Sequence, residues 1–447
     1  MNNDQPLIPS SSTLAGTKTN TNSSKTALQR IKAIASGTIG NMVEYYDWYT
    51  YSAFSLYFAK VFFPVGSTTV QLLNVAAVFA VGFFMRPIGS WILGIYADRK
   101  GRRAALLVSV ASMCVGSLVI GLSPGYQTIG IFAPILLVSA RLLQGLSLGG
   151  EYASSATYLS EMAPPRSRGF YSSFLFATLS LGQLLALGVL VLLQKVISHA
   201  DLAVWGWRVP FLLGAVSAAF AIYLRRNMVE TDSFQKHQRN AQPARPLSTL
   251  IKHWRQCLVV AGLTLGGTVA FYAFTTYMQK YLVNTSGLPV ETASVISAIA
   301  MICFVLIQPV FGALSDLVGR RALLLSFGVF GTLFTIPIFN RLAVVHDNFE
   351  AFILVLLALI ITSLYSSVSA IAKAELFPVG IRALGVGLPY AITVSVFGGT
   401  AEYLGLWLKS IGHEQWFYWY VTACIFCTFL SLIFTKDSRK FSCIDQD

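Results

Sequence analysis

Six ionisable side chains interrupt stretches that are otherwise apolar: Glu44, Asp47, Arg86, Arg141, Glu151 and Glu402. Their chemistry is that of guanidinium and carboxylate, anion binding on one hand and proton exchange on the other. Arg86 sits inside GFFMRPIGSW, and a guanidinium there can hold a carboxylate through two parallel hydrogen bonds. The same position also suits a buried ion pair with Glu44 or Asp47. Those two acids are three residues apart and share a helix face. Two neighbouring carboxyls cannot both ionise cheaply, so one is a natural proton carrier; pairing with Arg86 or Arg141 is the structural alternative. All five histidines lie outside the apolar interiors, which leaves any coupled proton to carboxylates. Arg141 and Glu151 are ten residues apart, about 15 Å along one continuous helix, so each needs a partner on another element. For Glu151 that is a hydrogen bond to a neighbouring helix or a proton site. Arg208 and Lys280 fall near segment ends, where they either attract an anion or snorkel to the interface. Tyr272, Tyr277 and Gln279 supply hydrogen bonds to a cavity or simply pack.

The elements that must position these groups follow from composition. The 447 residues are 55% hydrophobic and only 11% charged, far below the roughly 25% charge of soluble domains, and mean hydropathy is +0.64. Apolar segments run at 31–59, 71–97, 104–122, 131–159, 170–196 and 206–225, then at 257–284, 291–315, 322–340, 351–374, 383–408 and 416–435. Each matches the roughly 20 residues that span a bilayer. The expected fold is therefore an all-α membrane protein of twelve transmembrane helices. Residues 1–29, rich in Ser, Thr and Asn without an apolar core, read as a disordered tail; 226–256 is a polar linker and 436–447 a second tail. The bundles are then 30–225 and 257–435.

Loop charges predict orientation. One side collects Arg99, Lys100, Arg102, Arg103, Arg166, Arg168, Arg320, Arg321, Arg382 and Lys436, the other only Lys60, Lys195, Arg208, Lys280, Arg341 and Lys409. Both termini are thus expected in the cytoplasm. The net charge of +13 is explained by this topology, and no nucleic-acid partner is expected. The six cysteines form no disulfide framework, and Cys424-Ile-Phe-Cys427 reads as small buried hydrophobes. The glycines of Gly145-Leu-Ser-Leu-Gly149-Gly150 and Gly262-Leu-Thr-Leu-Gly266-Gly267 follow no strand. They read as helix-packing residues, not as a nucleotide loop.

The chain is internally repeated. Gly94, Asp98, Gly101, Arg102 and Arg103 recur as Gly312, Asp316, Gly319, Arg320 and Arg321, each 218 positions on. Glu161, Pro164 and Arg168 recur as Glu375, Pro378 and Arg382, offset by 214. Two landmarks at nearly one offset imply two pseudo-symmetric six-helix bundles.

GIYADRKGRR and GALSDLVGRR resemble the signature loops of the major facilitator superfamily, and RLLQGLSLGGEY, WGWRVPF and the first apolar segment resemble its metabolite:proton symporter branch. The resemblance covers Arg30 to about Thr435. FYAFTTYMQKYLVNTSG and KAELFPVGIRALGVGLPYAITVSVFGGTAEY narrow it toward bacterial carriers of 2-oxoglutarate. It implies proton-coupled uptake of 2-oxoglutarate or a related dicarboxylate by alternating access, as a monomer in the bacterial inner membrane. No cofactor is implied beyond the proton. It assigns coupling to the position of Arg141, and a latch to Gly94, Asp98, Gly101, Arg102, Arg103, Asp316, Gly319, Arg320 and Arg321. The second loop lacks the arginine that follows Asp98, which predicts a weaker latch there.

Within transporters the alternatives are citrate, shikimate or a betaine, although a zwitterion has no need of several arginines. A transporter-like sensor would require a signalling domain, for which linker and tails leave no room. An intramembrane enzyme would require a His-rich metal cluster or an H-E-x-x-H spacing, and the sequence has neither; Gly145-Leu-Ser-Leu-Gly149 has the G-x-S-x-G form but follows no strand, as a nucleophile turn would. A dianion entering against 100 mV, negative inside, faces about 4.6 kcal/mol, so more than two protons would let the potential assist entry.

Overall fold

The computed structural model describes residues 41–100, 102–225, 250–378, 381–435 and 443–445. The tails and most of the linker lie outside the described residues, as does Gly101. The described residues form twelve long helices. Helix α1 runs over 41–53 and, after a turn at Phe54, continues as Ser55–Phe62. It is followed by α2 (Thr68–Lys100), α3 (Arg102–Leu122), α4 (Phe132–Leu148, resumed as Glu151–Met162), α5 (Arg168–Val196) and α6 (Val209–Arg225). The second set comprises α7 (Trp254–Phe271 and Met278–Asn284), α8 (Val290–Val318), α9 (Arg320–Ala343), α10 (Asn348–Ala374), α11 (Arg382–Thr393 and Ala401–Ser410) and α12 (Gln415–Ile433). Wider π-type turns join the two parts of α7 at Tyr272–Tyr277 and of α11 at Val394–Gly398.

Apart from 31–40 of the first segment, which lie outside the described residues, segment positions match the sequence reading to within a few residues, but the continuity of α4 does not. A break at Gly149–Gly150 separates Arg141 from Glu151, so the two are on different helical pieces. The π turns too have no signature in the hydropathy pattern. They occur where backbone groups are enclosed by neighbouring helices, which is where irregular backbone is tolerated at membrane depth.

Among the described residues, nine helices are long and apolar enough to cross a membrane, and Leu107–Leu122 and Gly206–Phe220 are shorter apolar helices. In α8 only 39% of the most apolar window is buried. Its Leu306, Val310 and Leu317 face outward, as do Trp416 and Trp419 of α12. An apolar exterior around a partly polar interior is the arrangement a bilayer selects.

Glycines set the helix crossings. A Cβ at Gly145 would overlap the Gly82 carbonyl, one at Gly149 the Arg86 carbonyl, and one at Gly89 the Leu146 carbonyl, so α2 and α4 touch backbone to backbone. In the second half Gly266 rests against the Cys424 carbonyl, bringing α7 onto α12. The packing role read from the glycine runs therefore holds at both.

The halves meet through α5 on α8 and α2 on α11, with α4 also reaching α10 and α11. At the α8–α9 end, Asp316 accepts hydrogen bonds from the Gly169 and Phe170 amides, each 2.9 Å, at the start of α5. A carboxylate at a helix N-terminus satisfies orphan amides and meets the positive end of the dipole. Arg320 donates to Asp316 at 2.8 Å and to the Ser315 carbonyl at 2.9 Å, and faces Glu375 at 3.7 Å. Gly319, at φ 98°, makes the sharp turn between α8 and α9, and Arg321 donates to the Ile433 carbonyl. The loop that lacks the arginine thus meets the other half through the Asp316 carboxylate and two backbone amides. In the first half Gly94 and Asp98 fall in α2 and Arg102 and Arg103 open α3, with their side chains outside the described residues.

At the opposite end Thr69 bonds Asn284 across the halves at 3.3 Å, and Gln194 of α5 bonds Tyr57 at 2.8 Å and Ser294 of α8 at 3.1 Å. Among the described residues, both ends are thus bridged by contacts between the halves.

Two outcomes follow. Gly145→Ala forces α2 from α4 and is expected to destabilise the protein by about 1–3 kcal/mol, read as a lowered midpoint of thermal unfolding in detergent. Asp316→Ala leaves the Gly169 and Phe170 amides without their acceptor. Hydrogen exchange of the peptide carrying them is expected to quicken about tenfold or more, and an unchanged rate would show that the carboxylate does not hold this end.

Candidate functional site

Arg86 lies mid-way along α2 and is 4% exposed. Its guanidinium carbon is 4.0 Å from the Phe83 ring centroid and 4.5 Å from that of Trp48. Neither Nε nor Nη2 has a hydrogen-bond partner, and no carboxylate closes on the group among the described residues. Cation–π contacts contribute about 0.5–2 kcal/mol, which offsets part of the burial of the charge and satisfies none of its N–H groups. The sequence allowed an ion pair with Glu44 or Asp47. The structure instead leaves the donors of Arg86 open.

Arg141, fully buried on α4, uses the same indole from its own side, 3.8 Å from the Trp48 centroid and 4.5 Å from that of Tyr51. Its Nη1 donates to Gln144 Oε1 at 2.6 Å. Gln144 Nε2 donates to Asp47 Oδ2 at 2.8 Å and to Ser117 Oγ at 2.9 Å, and Ser117 donates to Asp47 Oδ1. Asp47 and Arg141 therefore communicate through an amide and a hydroxyl and form no direct ion pair. Gln144 is one helical turn from Arg141, and that spacing was legible in RLLQG; Ser117, on α3, carries no such signal. Glu44 is buried on the same face of α1 as Asp47. Glu151 is half-buried just past the α4 break, with Oε2 unpartnered.

Between the halves lies a narrow cavity, with about 10 Å³ open to the centre of a water-sized sphere. Tyr45 and Tyr49 of α1, Phe176 and Leu179 of α5, Thr268 and Tyr272 of α7, Tyr365 of α10 and Tyr390 of α11 line it. Arg86 does not itself line the cavity; the hydroxyls of Tyr272, Tyr45, Tyr390 and Tyr49, which do, lie within its electrostatic reach. Tyr272 is thus brought to the cavity by the π turn of α7. Its ring also meets Phe83 edge-on at 5.1 Å.

The other residues singled out in the sequence scatter. Lys280 is not near a surface: it is fully buried, 2.8 Å from Glu402, and also donates to Ser52 of α1. Ser52 in turn donates to Glu402 at 3.3 Å, so α1, α7 and α11 are joined across the halves. Four residues of helix follow Lys280 before α7 ends at Asn284, about one turn, so it sits deeper than a snorkelling residue would. Gln279 donates to Ser294 at 3.0 Å within the end-closing network. Tyr277 packs on Phe417 at 5.3 Å and Tyr281 at 5.9 Å and does not line the cavity. Arg208 spends its guanidinium on the Val204 and Ser123 carbonyls, at 2.9 and 3.2 Å, and on the Trp207 ring, away from the cavity.

Comparison with known proteins agrees with this architecture. A family model described as "Sugar (and other) transporter" matches residues 33–248. The alpha-ketoglutarate permease of Escherichia coli (strain K12) is 53% identical over 402 residues, covering 90% of this chain and 93% of that protein. A citrate-proton symporter of Salmonella typhi is 32% identical over 92% of this chain and 95% of its own length. The proline/betaine transporter of Escherichia coli (strain K12) is 33% identical over 84% of this chain and 77% of its own. Among solved structures, the E. coli xylose transporter XylE in a partially occluded inward open conformation superposes with a TM-score of 0.70 at 17% identity, covering 91% of this chain and 98% of that one. Twelve helices in two repeated halves among the described residues, charges buried between them and these relatives converge: the chain belongs to the major facilitator superfamily, among its metabolite transporters.

Proposed function

We propose that this protein is a secondary transporter that carries 2-oxoglutarate, or a closely similar dicarboxylate, together with protons into the bacterial cell. The observation that carries the reading is Arg86, a buried guanidinium with two donors unsatisfied, within electrostatic reach of tyrosines that line the cavity between the halves. A carboxylate placed there completes its hydrogen bonds and its charge at once. The 53% identity to a permease of alpha-ketoglutarate supports this substrate over the citrate and betaine of the more distant relatives.

Coupling falls to Asp47 and Glu402. Asp47 is acceptor to Gln144 and Ser117, and through Gln144 senses Arg141. A proton on Asp47 removes the charge that orients this chain and frees Arg141 to reorient. Glu402 holds Lys280 and Ser52 across the halves, and its protonation weakens that tie. Glu44 and Glu151 border the same interior and are secondary carriers. Gln279, Tyr277 and Arg208 act by closing or bracing the end opposite the α8–α9 turn, and Tyr272 by facing substrate.

The two bundles, 30–225 and 257–435 joined by 226–256, rock about this centre, with the α8–α9 clasp on the cytoplasmic side and both termini there. Gly94, Asp98, Gly101, Arg102 and Arg103 form the matching clasp of the first half. The protein works as a monomer.

Labelled uptake into proteoliposomes under an imposed pH gradient tests each part. Arg86→Lys keeps the charge but loses the bidentate fork. It is expected to weaken 2-oxoglutarate binding about 10- to 100-fold at normal membrane abundance. Saturable uptake equal to wild type in that variant removes Arg86 from the site. Asp47→Asn is expected to abolish gradient-driven accumulation while exchange of labelled for unlabelled substrate persists. Accumulation that survives in Asp47→Asn assigns the proton elsewhere.

A further inference from the structure

Lys373 is fully buried near the C-terminus of α10. Buried lysines normally have an acid, as Lys280 has Glu402. Lys373 has none among the described residues. Its Nζ makes one hydrogen bond, to the Tyr365 hydroxyl at 3.1 Å, and is otherwise surrounded by rings. The centroids lie 4.7 Å away for Tyr390, 5.5 Å for Tyr365 and 5.8 Å for Tyr152. Tyr152 and Tyr390 are stacked at 3.5 Å, which fixes this cage. The acid next to it in sequence, Glu375, faces Arg320. An ammonium carries three donors, so two remain for an acceptor that the protein itself does not provide.

Two walls of the cage, Tyr365 and Tyr390, are also walls of the cavity between the halves. Tyr390 is shared further, since its hydroxyl lies in the field of Arg86. The cavity is thus flanked by two buried cations that lack acidic partners, Arg86 on α2 and Lys373 on α10, one from each half. A monocarboxylate can answer only one of them. A short chain with a carboxylate at each end answers both and ties the halves together as it does so.

Resting on the function proposed above, we infer that Lys373 binds the distal carboxylate of the substrate while Arg86 holds the other. Lys373 is then the residue that separates dicarboxylates from monocarboxylates. Substrate loading draws α2 and α10 toward one ligand, which couples occupancy to closure of the halves.

The test compares 2-oxoglutarate with 2-oxopentanoate, a keto acid of the same length without the second carboxylate, by equilibrium binding to the purified full-length protein. Wild type is expected to prefer 2-oxoglutarate by about 10- to 100-fold, the size of one charge-assisted hydrogen bond. Lys373→Gln is expected to lower 2-oxoglutarate affinity to that of 2-oxopentanoate and to leave 2-oxopentanoate unchanged. Arg86→Lys is expected to weaken both acids. A Lys373→Gln protein that keeps the preference, or that loses affinity equally for both acids, overturns the inference and leaves the transport reading intact. Wild-type protein that binds neither acid overturns that reading, and this inference with it. Should Lys373→Gln fail to fold, Lys373→Arg gives the same decision: a displaced cation alters the ratio of the two affinities, and an unaltered ratio overturns the inference.

Discussion

A charge held inside a membrane-spanning helix has to be answered by something, and which charges are answered by protein alone organises this molecule. Mid-bilayer ionisable groups cost about 2.5–3.5 kcal/mol each on insertion scales. Lys280 is answered by Glu402, Arg320 by Asp316 and Glu375, and Asp47 by Gln144 and Ser117. Arg86 is answered only by aromatic faces that leave its N–H groups open. The settled charges hold helices together; Arg86 and Lys373, neither with an acidic partner, stand beside tyrosines of the cavity, and Arg141 also keeps Nε and Nη2 open behind Trp48. The same physics that makes a bare guanidinium expensive makes it a strong anion site, because the ligand supplies what the fold withholds.

Trp48 is the hinge of this arrangement. Both Arg86 and Arg141 lie over its ring, and it packs on Gly82 where α2 and α4 meet. The backbone contact at Gly82 and Gly145 fixes the separation of the two arginines, and a larger residue at either glycine would move both. The position of Arg86 and the Asp47 network at Arg141 are therefore mechanically joined without a hydrogen bond between them. In the second half the ion pair of Lys280 and Glu402, extended to Ser52 of α1, gives the opposite bundle its own titratable tie.

The internal repeat has a physical counterpart in the clasp at the α8–α9 end. Asp316 reaches the first turn of α5, which begins at Arg168; α11 begins at Arg382, the repeat-related position. A carboxylate that caps a helix of the other bundle is strong while the end is closed and is solvated when it opens, so it suits a reversible contact. Its acceptor role is met by two backbone amides of the other half.

Much of this was legible in the residues. Twelve apolar runs of spanning length, a doubled loop pattern and the glycine runs determined the number of helices, the two halves and the tight crossings, because each depends on local composition and spacing. The identity of the buried charges was equally plain, since a charge in an apolar run stands out at once. Partnership was not. That Asp47 reaches Arg141 through Gln144, that Lys280 is buried with Glu402, that Arg208 is spent on carbonyls and that α4 breaks before Glu151 all depend on helix rotation and on residues far apart in the chain. Helix rotation is set by the sum of many packing contacts, and no single residue type announces it. The sequence by itself determined which charges enter the membrane; tertiary structure alone decided which of them find partners and which are left open.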